Sequence, residues 1–74
     1  MYLSNVEVGQ KARVVNIEGK EAAKRLFGYG ILSGTSLELK ARHPLRGPLV
    51  VSVGGTQVAV GRRMAEKIEV ELDE

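Results

Sequence analysis

No cysteine occurs in this chain, which rules out a disulfide framework, a thiolate metal site and a cysteine nucleophile. Histidine is nearly absent too. His43 stands alone, with no second histidine, cysteine or aspartate near it in sequence, so neither a Ser-His-Asp set nor a histidine metal cage can be assembled around it. Aromatic residues number three, Tyr2, Phe27 and Tyr29. That is too few to line a polyproline-reading groove or to stack successive nucleic-acid bases. Long apolar runs are also missing. Leu49-Val50-Val51 is as long as any, far short of the ~20 residues a membrane helix needs. No basic segment followed by an apolar one opens the chain, so no secretory signal is read. A small, soluble, intracellular protein is expected.

Charge is present but unevenly distributed. The net charge is +2, with 11 Lys/Arg against 9 Asp/Glu. Residues 1–63 carry an excess of basic residues and residues 64–74 an excess of acidic ones. The basic residues alternate with apolar ones, as on a strand surface, and no aromatics interleave with them, so no nucleic-acid partner is expected. The carboxylates fall at outward strand positions or in the acidic tail, which leaves no general acid/base pair and no hard-metal cage. No enzyme activity, no metal and no cofactor are expected.

Seventy-four residues suit one domain, spanning 1–74, with a stability of about 4–11 kcal/mol. Its organising stretch is residues 22–35. Ala22, Leu26 and Tyr29 recur at helical spacing and form one stripe, with Ala23 and Phe27 beside it. Glu21 and Arg25, four apart, are placed for a surface ion pair. Gly30 follows the last periodic residue and reads as a left-handed helix stop. Gly34 marks the next turn. Gly28 and Gly30 echo a phosphate loop only superficially, because a dinucleotide fingerprint puts its glycines before the helix, not after it.

Around that helix the chain reads as strands. Ser4 and Glu7 make a capping-box pattern, predicting one helical turn closed by Gly9. Residues 11–17 form a first strand whose alternation slips near Val14 and Val15, as a bulge or burial on both faces would cause. Residues 36–42 alternate, with Leu37, Leu39 and Ala41 inward. Residues 43–48 form a loop stiffened by Pro44 and Pro48. Residues 49–53 and 56–60 flank Gly54-Gly55, a hairpin signal that sets Val53 against Thr56, Val51 against Val58 and Leu49 against Val60. Residues 62–66 form a helical turn that drops Met64 and Ala65 onto the core. Ile68, Val70 and Leu72 point inward from a last strand. The predicted fold is mainly β: a small barrel of about five strands, closed on itself, with one α-helix inserted after the first strand. Leu26, Leu37, Leu39, Val51, Val58, Ile68 and Val70 are its predicted core.

The run Arg25-Leu26-Phe27-Gly28-Tyr29-Gly30-Ile31-Leu32-Ser33-Gly34-Thr35 has a distinctive Arg-Leu-x-x-x-Gly-x-x-x-Gly-Thr spacing. Together with Pro44, Gly47-Pro48, Gly55, Val58-Ala59-Val60-Gly61-Arg62, Ala65 and Ile68, it resembles the FeoA-type ferrous-iron-transport domain. Leu3-Ser4 and Gly9 extend the likeness over essentially the whole chain. Tyr29, Ser33, Val8 and Gly61 depart from the usual aliphatic, proline, proline and arginine. The resemblance implies an SH3-like barrel and a small cytoplasmic accessory protein of ferrous iron uptake. It implies as partner the iron permease with a cytoplasmic GTP-binding domain, and a membrane association only through that permease. The same module is similar to the C-terminal domain of metal-dependent repressors, an alternative that would make it part of a regulator or a nucleic-acid-associated barrel.

The candidate partner-binding residues are Phe27, Tyr29, Arg42, Leu45 and Arg46. Phe27 lies at the edge of the helical stripe, and Tyr29 ends it. Leu45 sits in the stiffened loop, where an exposed aliphatic residue has little structural reason to be; the alternative is that Phe27 is another core residue and Leu45 folds back onto the barrel. A rigid loop loses little entropy on docking, and aromatic and aliphatic anchors commonly carry most of an interface's energy. Arg42 and Arg46 would form a polar rim for an acidic partner.

Overall fold

The computed structural model describes residues 1–73. It contains five strands: β1 (Lys11–Ile17), β2 (Ser36–Arg42), β3 (Leu49–Val53), β4 (Thr56–Val60) and β5 (Ile68–Leu72). The helix α1 (Lys20–Phe27) lies between β1 and β2, and a single helical turn, α2 (Arg62–Ala65), lies between β4 and β5. All pairings are antiparallel, in the order β4-β3-β2-β1-β5. Among the described residues β4 and β5 do not pair with each other, so hydrogen bonding does not close the sheet as expected.

The β3–β4 hairpin has the expected register, with Leu49 on Val60, Val51 on Val58 and Val53 on Thr56. Its turn, Gly54-Gly55, has φ of 54° and 85°, as a two-residue turn matched to strand twist requires. The slip in β1 is a bulge. The ladder to β5 shifts between Val14 and Asn16, leaving Val15 45% exposed. A second shift, between Leu39 and Ala41 on the β2–β3 ladder, leaves Ala41 half-buried instead of inward.

All seven predicted core residues are buried in one cluster. Leu3, Val6, Ile31, Leu49, Val60 and Ala65 join them, while Met64 and Leu72 pack partly buried against it. α1 contributes Leu26 to this cluster, and Ala22 is also buried. The expected Glu21–Arg25 pair is not formed. The ion pairs among the described residues are Arg13–Glu71, Lys40–Glu38 and Arg46–Glu66. An exposed pair gains little over two hydrated side chains, so spacing alone does not create one.

The capping box at Ser4 and Glu7 does not form either. Tyr2, not Ser4, caps a short 3-10 turn at Leu3–Asn5, and the Glu7 N–H is taken by Gln10 Oε1 at 2.8 Å. Gly9, at φ 93°, belongs to that second turn and donates to the Leu39 carbonyl at 2.8 Å. The N-terminal segment also covers the outer side of β5: Tyr2 bridges to Glu69, and the Val70 N–H donates to the Met1 carbonyl at 2.7 Å. The Tyr2 hydroxyl donates to Glu18. That hydrogen bond and the carboxylate's charge raise the phenol above its ordinary 10.0, with lesser contributions from burial and Glu69.

Candidate docking surface

α1 ends in a way that decides where its aromatic residues point. The Gly30 N–H donates to the Phe27 carbonyl and the Ile31 N–H to the Leu26 carbonyl, both at 2.9 Å, with Gly30 at φ 83°. This is a Schellman cap with Gly30 at its left-handed position, and Leu26 and Ile31 make its hydrophobic contact inside the core. Tyr29 therefore does not continue the buried stripe, as helical spacing suggested. It is 53% exposed, and Ile31 takes the inward place. Phe27 is 67% exposed on the last helical residue.

The loop between β2 and β3 is a tight structure. The His43 N–H donates to the Pro48 carbonyl at 3.1 Å and the Gly47 N–H to the Pro44 carbonyl at 3.0 Å. Between those bonds Leu45 and Arg46 both take φ of 58°, the only non-glycine residues with positive φ among those described. Gly47 sits where space is tight, since a Cβ there would lie 3.0 Å from His43 Cβ and from the Pro44 carbonyl oxygen. At the tip Leu45 is 97% exposed.

The two arginines beside the tip have different fates. Arg42 does not form a free rim. Its guanidinium donates to the carbonyls of Ser4, at 2.9 Å, and Val6, which brace the base of the loop against the N-terminal segment. Arg46 is largely exposed and lies 3.6 Å from Glu66. Of the five candidates, the structure brings Tyr29 and Arg46 together on one open groove of about 470 Å³, lined also by Arg25, Arg62 and Arg63. Phe27, Leu45 and Arg42 do not line it. Sequence reasoning missed the three further arginines. Arg62 and Arg63 are adjacent in sequence, but only the fold sets them opposite the end of α1.

Among the described residues no three His, Cys, Asp or Glu side chains come together as a metal-holding group. No helix is long and apolar enough to cross a membrane. What the fold exposes is an apolar loop tip on a left-handed backbone, two aromatics and an arginine-lined groove.

Five antiparallel strands with a helix after the first and an exposed loop define a small SH3-like β domain. The sequence matches the FeoA domain over residues 1–72, and the chain belongs to that family, which is linked to ferrous iron transport. It is 34% identical over 73 residues to an Fe(2+) transport protein A/Fe(2+) transporter FeoB fusion protein of Porphyromonas gingivalis. That match covers 97% of this chain but only 9% of the fusion protein. A crystal structure of an iron uptake regulatory protein, FeoA, superposes with a TM-score of 0.89 at 34% identity, covering 97% of this chain and 96% of that one. A manganese-dependent transcriptional repressor also superposes at 0.89, over 97% of this chain and 36% of its own. At 23% identity that likeness shows the fold alone.

Proposed function

We propose that this protein is a non-catalytic accessory component of ferrous iron uptake that docks onto the cytoplasmic part of a FeoB-type permease. The observation that carries this reading is the P. gingivalis relative, in which a matching domain is covalently joined to the transporter. Domains fused in one organism are held at high effective concentration, an arrangement suited to a pair that otherwise meets by binding. The loop supplies a docking element in keeping with it. Leu45 stands almost wholly in water on a backbone held by two hydrogen bonds, so burying it in a partner costs little ordering entropy. Phe27 and Tyr29 supply the aromatic anchors, Arg46 the polar rim, and Arg42 the brace behind the loop.

The test is a pull-down of the permease's cytoplasmic domain by this chain and by Leu45→Ala. The variant should keep its circular dichroism spectrum and melting temperature yet bind at least about tenfold more weakly, a loss of ~1.4 kcal/mol. Equal capture by a folded Leu45→Ala removes the loop from the interface. No capture by the wild-type chain removes the permease as partner.

A further inference from the structure

The sheet has two outer strands, and they are treated differently. β5 is covered by the N-terminal segment, through the Tyr2–Glu69 bridge and the Met1–Val70 bond, and carries Glu69 and Glu71. β4, Thr-Gln-Val-Ala-Val, has neither a charged residue nor a proline, the usual means of blocking an open edge. Its register with β3 places Val53–Thr56, Val51–Val58 and Leu49–Val60 as the hydrogen-bonded pairs that follow a two-residue turn. The N–H and C=O of Gln57 and Ala59 therefore point away from the sheet, and no backbone bond to either is formed among the described residues.

This open edge borders the groove. A second depression of about 570 Å³ runs beside Thr56, Gln57 and Ala59 to the end of α1, sharing Tyr29 and Ala59 with the arginine-lined one. Among the described residues, only Arg46 of the four arginines there has a carboxylate partner, and Arg62 Nε is buried without a hydrogen-bond partner. Among the described residues no carboxylate lines either depression.

We infer that β4 and its groove receive an extended, acidic segment of a partner protein. The segment adds to the sheet as a further strand, its backbone on Gln57 and Ala59 and its carboxylates on Arg25, Arg62 and Arg63. The inference rests on the reading that the protein works by docking, and it names the kind of segment that docks. Strand addition takes affinity from main-chain hydrogen bonds and selectivity from the flanking side chains, here Tyr29 and the arginines. A free phosphate would use the arginines alone and leave the edge unpaired. A second copy docked through the same edge would bring two arginine clusters together.

The test is an NMR titration of the ¹⁵N-labelled full chain with a short synthetic peptide alternating Glu and Val, and with its counterpart carrying Lys for Glu. The acidic peptide should give saturable shifts at the Gln57, Ala59, Arg62 and Arg63 amides, and the basic one none. Arg62→Gln/Arg63→Gln should weaken binding at least about tenfold, and more so at low salt. Ala59→Pro, which removes an outward N–H at an edge position where proline is tolerated, should abolish binding with the fold retained. Shifts confined to another face, or equal binding of the basic peptide, overturn the inference. So does an identical response to inorganic phosphate, or concentration-dependent dimerisation through β4. Permease captured at full strength by Arg62→Gln/Arg63→Gln sinks this inference and leaves the docking function standing. Saturable binding of the acidic peptide by a chain that does not capture the permease supports this edge and sinks the permease reading.

Discussion

Leu45 and Arg46 hold a conformation that L-residues avoid, at a place where the chain has nine glycines to draw on elsewhere. A left-handed backbone costs a residue with a Cβ roughly 1–2 kcal/mol, and Leu45 recovers none of it by burial. The pair occupies the two central positions of a tight turn with both φ positive, positions that Asn-Gly fills without strain. Leu45→Asn/Arg46→Gly should therefore stabilise the protein by about 1 kcal/mol, raising the melting temperature by roughly 4–8 °C. Losing the exposed Arg46–Glu66 pair subtracts little from that gain. The same variant should bind the permease domain more weakly. An unchanged or lower melting temperature would show that the turn is not strained.

At the scale of the element, the end of α1 has most effect. The helix itself is short, and an isolated helix of this length is marginal in water, so its hold on the protein comes from Leu26 and from the cap. Gly30 at φ 83° allows the chain to reverse and carry Ile31 under the helix beside Leu26. A Cβ at Gly30 would meet nothing within 4 Å, so a substitution there is penalised by backbone conformation alone. Gly30→Ala should lower stability by about 1 kcal/mol, measured by urea denaturation with an unchanged slope. Gly30→Asn should lose less, since asparagine tolerates the left-handed region. Equal stability of all three would mean that the cap does not depend on a left-handed residue. The cap also accounts for Tyr29: ending the helical ladder before that residue removes it from the stripe that periodicity assigns it.

Over the whole molecule, one buried cluster joins every strand, α1, α2 and the N-terminal turn. Leu39 lies in it with no exposed surface. Leu39→Ala should cost about 2–5 kcal/mol, a large part of the roughly 4–11 kcal/mol available to a chain of this size. Thermal melting is the measurement, and a shift of a degree or two would refute the assigned face. The distribution of charge belongs to this scale as well. The acidic residues of β5 lie on one outer strand, while Arg25, Arg46, Arg62 and Arg63 gather beside the other. The open edge of β4 is thus next to the basic groove.

What the sequence determined by itself was set by local chemistry and by period. Two-residue alternation assigned Leu37, Leu39, Val51, Val58, Ile68 and Val70 to the core, and Gly54-Gly55 set a register that the ladder reproduces pair by pair. Gly30 marked the helix stop, the slip near Val15 marked the bulge, and the glycine-spaced run carried the FeoA resemblance. Tertiary structure alone decided what depends on distance between segments remote in the chain. Arg42, with the rim role that its sequence position suggested, is bound instead to the carbonyls of Ser4 and Val6. Among the described residues, the first residues and not β4 lie against β5. Arg25, Arg46, Arg62 and Arg63 meet because α1, the loop and α2 converge, a juxtaposition with no sequence period to announce it. Local patterns report which face a residue takes on its own element; which elements lie opposite each other follows only from packing the whole chain around one core.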